Sequence, residues 1–185
     1  MPTSETSSEP DRGDEVDVDV VVVGGGPVGV TTALLLAQRG LSARVLERST
    51  EVYDLPRAIG MDDEIQRVFQ GAGLIDGLRA ITTPMVGAEF VRPDGQRIVG
   101  VEMPPDAAWP LGHHPTVAYY QPMFEAFLRD AAAAAGVELW LGHDAGVVDS
   151  SDEWVEITST AADGTVARHR SRWLVAADGA ASPIR

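Results

Sequence analysis

Three observations predict an α/β fold for this chain. A wholly apolar run, Val20 to Val23, feeds directly into a glycine cluster, Gly24-Gly25-Gly26-Pro27-Val28-Gly29. A segment of helical composition follows, and then a second strand, so that strand, tight turn, helix and strand fall within about thirty residues, as in a βαβ unit. Further along, short strands separated by Asp-Gly turns replace the strand–helix alternation. The expected architecture is therefore a parallel sheet joined by antiparallel strands.

The first strand is read over Asp17 to Val23, alternating and then fully apolar, as a buried parallel strand is. The first helix is read over Val30 to Arg39, rich in Ala and Leu, with Gly40 placed for a left-handed cap. Leu41 to Glu47 forms the second strand. Asp62 is placed to cap a helix over 63–70 that stops at Gly71. Glu89 to Val101 reads as a hairpin turning at Pro93, Asp94 and Gly95. Pro122 suits the first turn of a helix that reaches Ala135 and closes at Gly136. Val137 to Leu141 is a strand. Trp154 to Gly179 holds two or three more around a turn near Asp163 and Gly164, the last ending at Asp178-Gly179.

At 185 residues, 44% of them hydrophobic, the chain has the size and composition of one globular domain. The net charge of −14 argues against nucleic acid and anionic membrane as partners. It leaves an anionic small ligand open, because surface charges beyond about 8 Å are largely screened at physiological salt. With no cysteine, disulfides, thiolate-bound zinc, iron–sulfur clusters and a Cys-x-x-Cys redox pair are excluded. Residues 1–16 are acidic and Ser-rich with no apolar segment, so a solvated, disordered tail is expected rather than a secretory signal, and a cytoplasmic location fits. No apolar run approaches the 18 or so residues of a membrane span.

The spacing Gly24-x-Gly26-x-x-Gly29 carries the chemistry. Gly24 permits the sharp turn, Gly26 lets the backbone approach a pyrophosphate, and Gly29, with Ala33 one turn on, lets the helix lie close to the strand. The free N–H groups of the turn and the positive helix end, equivalent to roughly half a charge, then face two phosphates. Glu47 lies 23 positions after Gly24, where a carboxylate accepts hydrogen bonds from ribose hydroxyls and repels a 2′-phosphate. Arg48 beside it is suited either to a 2′-phosphate or to stacking on adenine. Three further residues are ambiguous on their own. Arg57 is a pyrophosphate contact or a loop ion pair; Gln121 caps a helix or reaches into the crevice; Asp178 ends a strand at the ligand edge or simply turns the chain. His113 and His114, before Pro115, are read as structural or surface histidines.

Taken together, these stretches resemble the FAD-dependent aromatic hydroxylases, single-component flavoprotein monooxygenases of the 3-(3-hydroxyphenyl)propionate hydroxylase type. The resemblance runs from Val18 to Arg185. VVVGGGPVGVTTALLLAQRG with VLERS is similar to the first FAD fingerprint of a Rossmann-like domain, LPRAIGMDDE to the family's Pro-Arg-Ala segment, YYQPMFEAFLR to its glutamine segment, and ADGAASPIR to its Asp-Gly motif. It implies FAD contacts at Gly24, Gly25, Gly26, Pro27, Val28, Gly29, Glu47, Arg48, Arg57, Gln121, Asp178 and, through its backbone, Ala145. It also implies NADH or NADPH as transient reductant, and dioxygen and a small aromatic, phenolic substrate as reaction partners.

The family's Gly-Asp motif for the ribityl chain lies well downstream, so the resemblance implies a truncated FAD-binding domain over 17–185. The hairpin at about 87–101 would then begin the substrate layer, and the missing carboxyl-terminal portion would be a partner. Two alternatives stand beside this reading. One is a catalytically inactive nucleotide-binding fragment; the other is a halogenase- or prenyl reductase-type flavoprotein. The Trp-x-Trp-x-Ile-Pro stretch usual in halogenases does not occur.

Overall fold

A computed structural model describes residues 15–184, apart from the side chain at position 147. The tail expected over 1–16 lies, as far as residue 14, outside the described residues, as does Arg185.

The βαβ unit expected from the glycine cluster is present. Strand β1 (Val18–Val23), helix α1 (Pro27–Ala37) and strand β2 (Ala43–Glu47) follow one another, and β1 pairs with β2 in parallel from Val20↔Ala43 to Val23↔Leu46. The helix begins three residues earlier than its composition suggests. Pro27 sits in the first turn, where its missing N–H costs nothing and its fixed φ already matches the helix. The other end closes at Gly40, whose φ of +85° lets Leu41 N–H reach back to the Leu36 carbonyl at 3.2 Å.

Next come strand β3 (Gly60–Asp62), helices α2 (Asp63–Gly71) and α3 (Ile75–Ala80), and strands β4 (Thr82–Pro84), β5 (Gly87–Val91), β6 (Arg97–Glu102) and β7 (Thr116–Tyr119). The α2 cap is the expected one: Asp62 Oδ1 accepts the Ile65 N–H at 2.9 Å. Strands β5 and β6 form the expected hairpin as a sheet of their own, while β3, β7 and β4 make a small antiparallel sheet. Helix α4 (Gln121–Ala134) leads into β8 (Glu138–Leu141), and the chain ends with β9 (His143–Ser150), β10 (Val155–Ala161) and β11 (Val166–Ala176).

The main sheet has the order β8-β2-β1-β11-β10-β9. Its first four strands are parallel and its last three antiparallel, with β11 belonging to both sets. One core cluster joins Val20, Val22, Ala43 and Val45 to α1, α2 and α4 through Val30, Leu34, Phe69, Phe124 and Leu128. The other joins Val21, Val23 and Leu46 to Ile157 of β10, with Trp140, Ala145 and Leu174 against it. Strand β9 returns against β2. The parallel sheet is thus covered by helices on one face and by its own antiparallel extension on the other. All these layers meet at the carboxyl ends of β1, β2 and β11.

The second core contains an uncommon polar element. His169, fully buried on β11, has a pKa lowered to about 4, first by burial and then by the positive charge of Arg44. The four tryptophans do not all enter the core. Trp173 on β11 is 69% exposed, and Trp154 instead lies under Arg170, whose guanidinium carbon is 4.1 Å from its ring centroid.

Two stability predictions follow from these cores. Leu128→Ala, emptying a fully buried site on α4, is expected to cost about 2–5 kcal/mol in urea unfolding. His169 is neutral when folded and has an ordinary pKa near 6.5 when unfolded, so the unfolded chain binds the extra proton. Stability is therefore independent of this group above pH 6.5 and falls as pH drops toward about 4, by on the order of 3 kcal/mol in all. Urea titrations across that range, compared with His169→Gln, measure the slope.

Candidate functional site: a dinucleotide cleft at the sheet's carboxyl edge

A cleft of about 580 Å³ opens at the carboxyl ends of the parallel strands. It is lined by Gly24 through Val28 on the turn and by Leu46 to Ser49 after β2. Tyr53 and Arg57 come from the following loop, Glu125 and Arg129 from α4, His143 to Ala145 from β9, and Ala177 to Gly179 from the end of β11. This is the crevice at which open α/β sheets bind ligands.

Each glycine of the motif has a separate geometric reason. Gly24 has φ +105°, and a Cβ there would strike the Ala177 carbonyl and lie 2.9 Å from Asp178 N. At Gly29 a Cβ would run into the Gly24 carbonyl, so this glycine brings α1 down onto the turn rather than lining the cleft. Gly25 is buried against Glu47, and a Cβ would come within 2.7 Å of the Glu47 Cβ. Gly26 differs from all of these: a Cβ there would meet nothing within 4 Å, although the residue lines the cleft. Three glycines shape the corner, and the fourth keeps space clear for a ligand.

Glu47 stands at the carboxyl end of β2, as expected, and also braces the turn. Its Oε2 accepts the Gly25 N–H at 2.6 Å and its Oε1 the Ser49 N–H at 2.8 Å. Each oxygen keeps lone-pair capacity for a further donor. Arg48 lies exposed in the cleft wall. Arg57 lies there too, its guanidinium carbon 5.5 Å from the Tyr53 ring centroid. Val28, Ala145 and Asp178 also line the cleft, and Asp178 Oδ2 accepts the Ile184 N–H at 3.5 Å.

Gln121 stands behind the cleft wall rather than in it. It is the first residue of α4, is 6% exposed and is not part of the cleft wall. Its Oε1 accepts the Arg57 and Ala58 N–H groups at 2.7 and 2.9 Å, and its Nε2 donates to Glu125 Oε1 at 2.6 Å. The amide oxygen holds the Arg57 loop and one amide hydrogen is taken by Glu125, so Gln121 shapes the cleft through that loop. His113 and His114 are structural, bound to Gln70 and to the Thr116 and Met103 carbonyls.

Arg129 and His143 were not anticipated. Arg129 Nε is buried with no hydrogen-bond partner among the described residues, and its side chain lines the cleft. Its only sequence signal is an arginine two turns into a helix, which is ordinary. His143 follows the Gly142 bend, and only the return of β9 against β2 carries it to the wall.

A glycine corner at a helix start, open at Gly26, with an acid at the end of β2, defines a dinucleotide-binding α/β domain. The comparisons narrow the class. The family described as FAD binding domain matches residues 17–185, and the chain belongs to it. It is 36% identical over 176 residues to the 3-(3-hydroxy-phenyl)propionate/3-hydroxycinnamic acid hydroxylase of Mycobacterium sp. (strain JLS), covering 93% of this chain and 29% of that protein. Among solved structures it superposes on p-nitrophenol 4-monooxygenase PnpA from Pseudomonas putida DLL-E4, with TM-score 0.80 and 27% identity, over 90% of this chain and 42% of that one. The flavin-dependent monooxygenase PieE in complex with FAD and substrate matches with TM-score 0.79 and 27% identity, over 90% and 31% of the two chains. The chain thus spans under a third of the length of the curated relative it matches.

The residues present fit FAD. The space at Gly26 admits a diphosphate, the unpartnered Arg129 Nε asks for an acceptor, and Glu47 offers acceptors to a ribose.

Gly26→Ala is expected to fold with stability within about 1 kcal/mol of the parent, since the methyl meets only open space. It should weaken FAD binding by about tenfold or more, because that space is the ligand's. Gly24→Ala should instead destabilise the fold by at least about 1–3 kcal/mol, its φ being +105°. Thermal unfolding and quenching of flavin fluorescence separate the two effects.

Proposed function

We propose that this chain is the FAD-binding portion of an NAD(P)H-dependent flavoprotein monooxygenase that hydroxylates a small aromatic, phenolic substrate with dioxygen. The observation that carries the reading is the corner at Gly24–Gly29, with its one open glycine facing a cleft walled by Glu47 and Arg129. The hydroxylase and monooxygenase names of the relatives supply the reaction class. The boundaries 17–185 fit one cofactor-binding unit. The hairpin β5–β6 fits the first piece of a substrate layer, since it forms a separate sheet and leaves Phe90 and Ile98 exposed. The remaining portion of a relative-length polypeptide is the natural partner for that hairpin. A cytoplasmic setting, where nicotinamide reductants are found, agrees with the reading.

FAD, when bound, supplies the redox chemistry and the activation of dioxygen. The chain's own residues bind and orient. The N–H groups of Val28 and Gly29 stand at the start of α1, where the helix dipole favours a diphosphate. Arg48, Arg57 and Arg129 add positive charge to the cleft wall of a strongly acidic protein. Glu47 fixes the turn and presents carboxylate oxygens at the ribose position. Gln121 holds the Arg57 loop by two backbone amides, so that the guanidinium stays over the cleft.

These contacts concern the adenosine diphosphate half of the cofactor. FAD and ADP are therefore expected to bind the 185-residue chain with dissociation constants within about tenfold of each other, and FMN should not compete. Competition titrations followed by flavin fluorescence test this. An FMN affinity equal to that of FAD would place the binding determinants elsewhere. For the full-length protein, oxidation of NADH or NADPH stimulated by a phenol is the expected activity.

A further inference from the structure

The polar chain inside the second core has a direction. Arg44 Nη1 lies 3.0 Å from His169 Nδ1. A guanidinium only donates, so this ring nitrogen must accept, and the neutral ring carries its proton on Nε2. His169 Nε2 lies 2.7 Å from Ser159 Oγ and donates to it. Ser159 is fully buried, and its other hydrogen-bond partner is His143 Nδ1, at 3.0 Å. If His143 also donated to Ser159, the hydroxyl hydrogen would be left without an acceptor in a site closed to water, which costs about 1–3 kcal/mol. The hydroxyl therefore donates to His143 Nδ1, and His143 keeps its proton on Nε2.

Strand register accounts for the alignment. Ile157 pairs with His169, and Ala161 with His143, so Ser159 sits diagonally between the two histidines on one face. Trp140 meets both rings edge to face, at 4.9 and 4.8 Å, and carries Arg44 on its own ring at 4.8 Å. Arg44 is held in turn by Glu138 Oε2 at 2.7 Å. The arrangement leaves His143 one polar atom to offer. His143 lines the cleft, its Nδ1 is taken, and its Nε2 has no partner among the described residues.

We propose that His143 is a hydrogen-bond donor to the adenine end of the bound dinucleotide, with its tautomer fixed from Arg44 through His169 and Ser159. This rests on the dinucleotide reading above. Glu47 touches the glycine turn, and Gly142 N–H reaches the Ser49 carbonyl at 3.4 Å just beyond it, so a ligand with its diphosphate at the turn and a ribose at Glu47 carries its base toward His143–Ala145 in the same cleft. Adenine presents ring nitrogens that accept. An Nε2–H donor matches those nitrogens, whereas the opposite tautomer would present an acceptor suited only to the exocyclic amine. His143 is thus a positioning and selectivity residue for the base, and Ser159 and His169 act through it.

The test uses the whole chain labelled with ¹⁵N at histidine, with ADP as the probe. The four histidines give separable ring signals, and His143→Ala identifies the one that matters. Without ligand, His143 and His169 are both expected as the Nε2–H tautomer, and ADP should shift the His143 Nε2 resonance. This spectrum of the parent chain needs no variant to fold. By titration, His143→Ala should weaken ADP by about tenfold. Ser159→Ala, which leaves the cleft wall intact, should weaken ADP less and give His143 mixed tautomers. Detection of His143 as the Nδ1–H tautomer, or unchanged ADP affinity in His143→Ala, overturns the inference while leaving the dinucleotide site standing. If the parent chain does not bind ADP at all, the dinucleotide reading itself fails, and the inference fails with it.

Discussion

Everything at the cleft depends on how closely three backbones approach one another. Gly24 N–H reaches the Leu46 carbonyl at 2.8 Å, and Ala177 N–H reaches the Val23 carbonyl at 2.8 Å. The corner is therefore stitched to β2 on one side and to the end of β11 on the other. No side chain larger than hydrogen fits at Gly24 or Gly29, because backbone already occupies the Cβ positions. Glu47 fills the space at Gly25. The empty volume at Gly26 is what remains once every other gap has been closed, and this makes it a site rather than a loose turn. A preformed cavity of this kind spares the ligand the cost of ordering the loop on binding.

The parts of the fold that depend on local chemistry were legible in the sequence. The βαβ unit, the Asp62 cap, the Pro93–Gly95 hairpin turn and the Gly136 helix end each come from residues within a few positions of one another. The missed parts depend on distant strands. Helix α3 is six residues long with Gly77 inside it, and that glycine is used because a Cβ would meet the Phe127 ring of α4 at 2.7 Å. Strands β3 and β4 are three residues each and exist only through pairing with β7. Position in sequence placed the glycines, Glu47, Arg48, Arg57, Ala145 and Asp178 at the right edge of the sheet. It could not distinguish Gln121 as a brace from Gln121 as a ligand contact, because a polar residue opening a helix has the same local signature in both roles. Arg129 and His143 had no local signature at all.

The charge distribution follows the same division between local and global. A net charge of −14 would repel a diphosphate if it acted as a whole. At physiological salt, charges further than about 8 Å are screened, so the potential that matters is set by groups in the wall. Arg48, Arg57 and Arg129 line the wall alongside Glu47, Glu51, Glu125, Asp144 and Asp178. Several of these carboxylates already hold internal donors: Glu47 holds two amides, Glu125 the Gln121 side chain and Asp178 the Ile184 amide. The arginines are more weakly engaged within the protein. Arg57 stacks on Tyr53, and Arg129 Nε has no acceptor among the described residues. The cleft thus offers positive charge to an anion although acids outnumber bases in its wall.

Strand β11 makes these features one structure. Its carboxyl half pairs with β1 and delivers Ala177 and Asp178 to the glycine corner. Its amino half pairs with β10 and places His169 beneath Ser159. Arg44, on β2 between Ala43 and Val45 of the helix-side core, reaches the same histidine from the parallel part of the sheet. The corner and the β9 wall, at the two ends of the cleft, are therefore positioned by one continuous sheet rather than by separate loops. Fixed hydrogen-bond directions inside that sheet require its strands to stay in register, since a slip of one residue would turn Ser159 away from both histidines. A polar chain in a hydrophobic layer adds little stability by itself. Here its geometric effect is to tie β2, β9, β10 and β11 together, so that the β9 wall and the glycine corner belong to one fixed sheet.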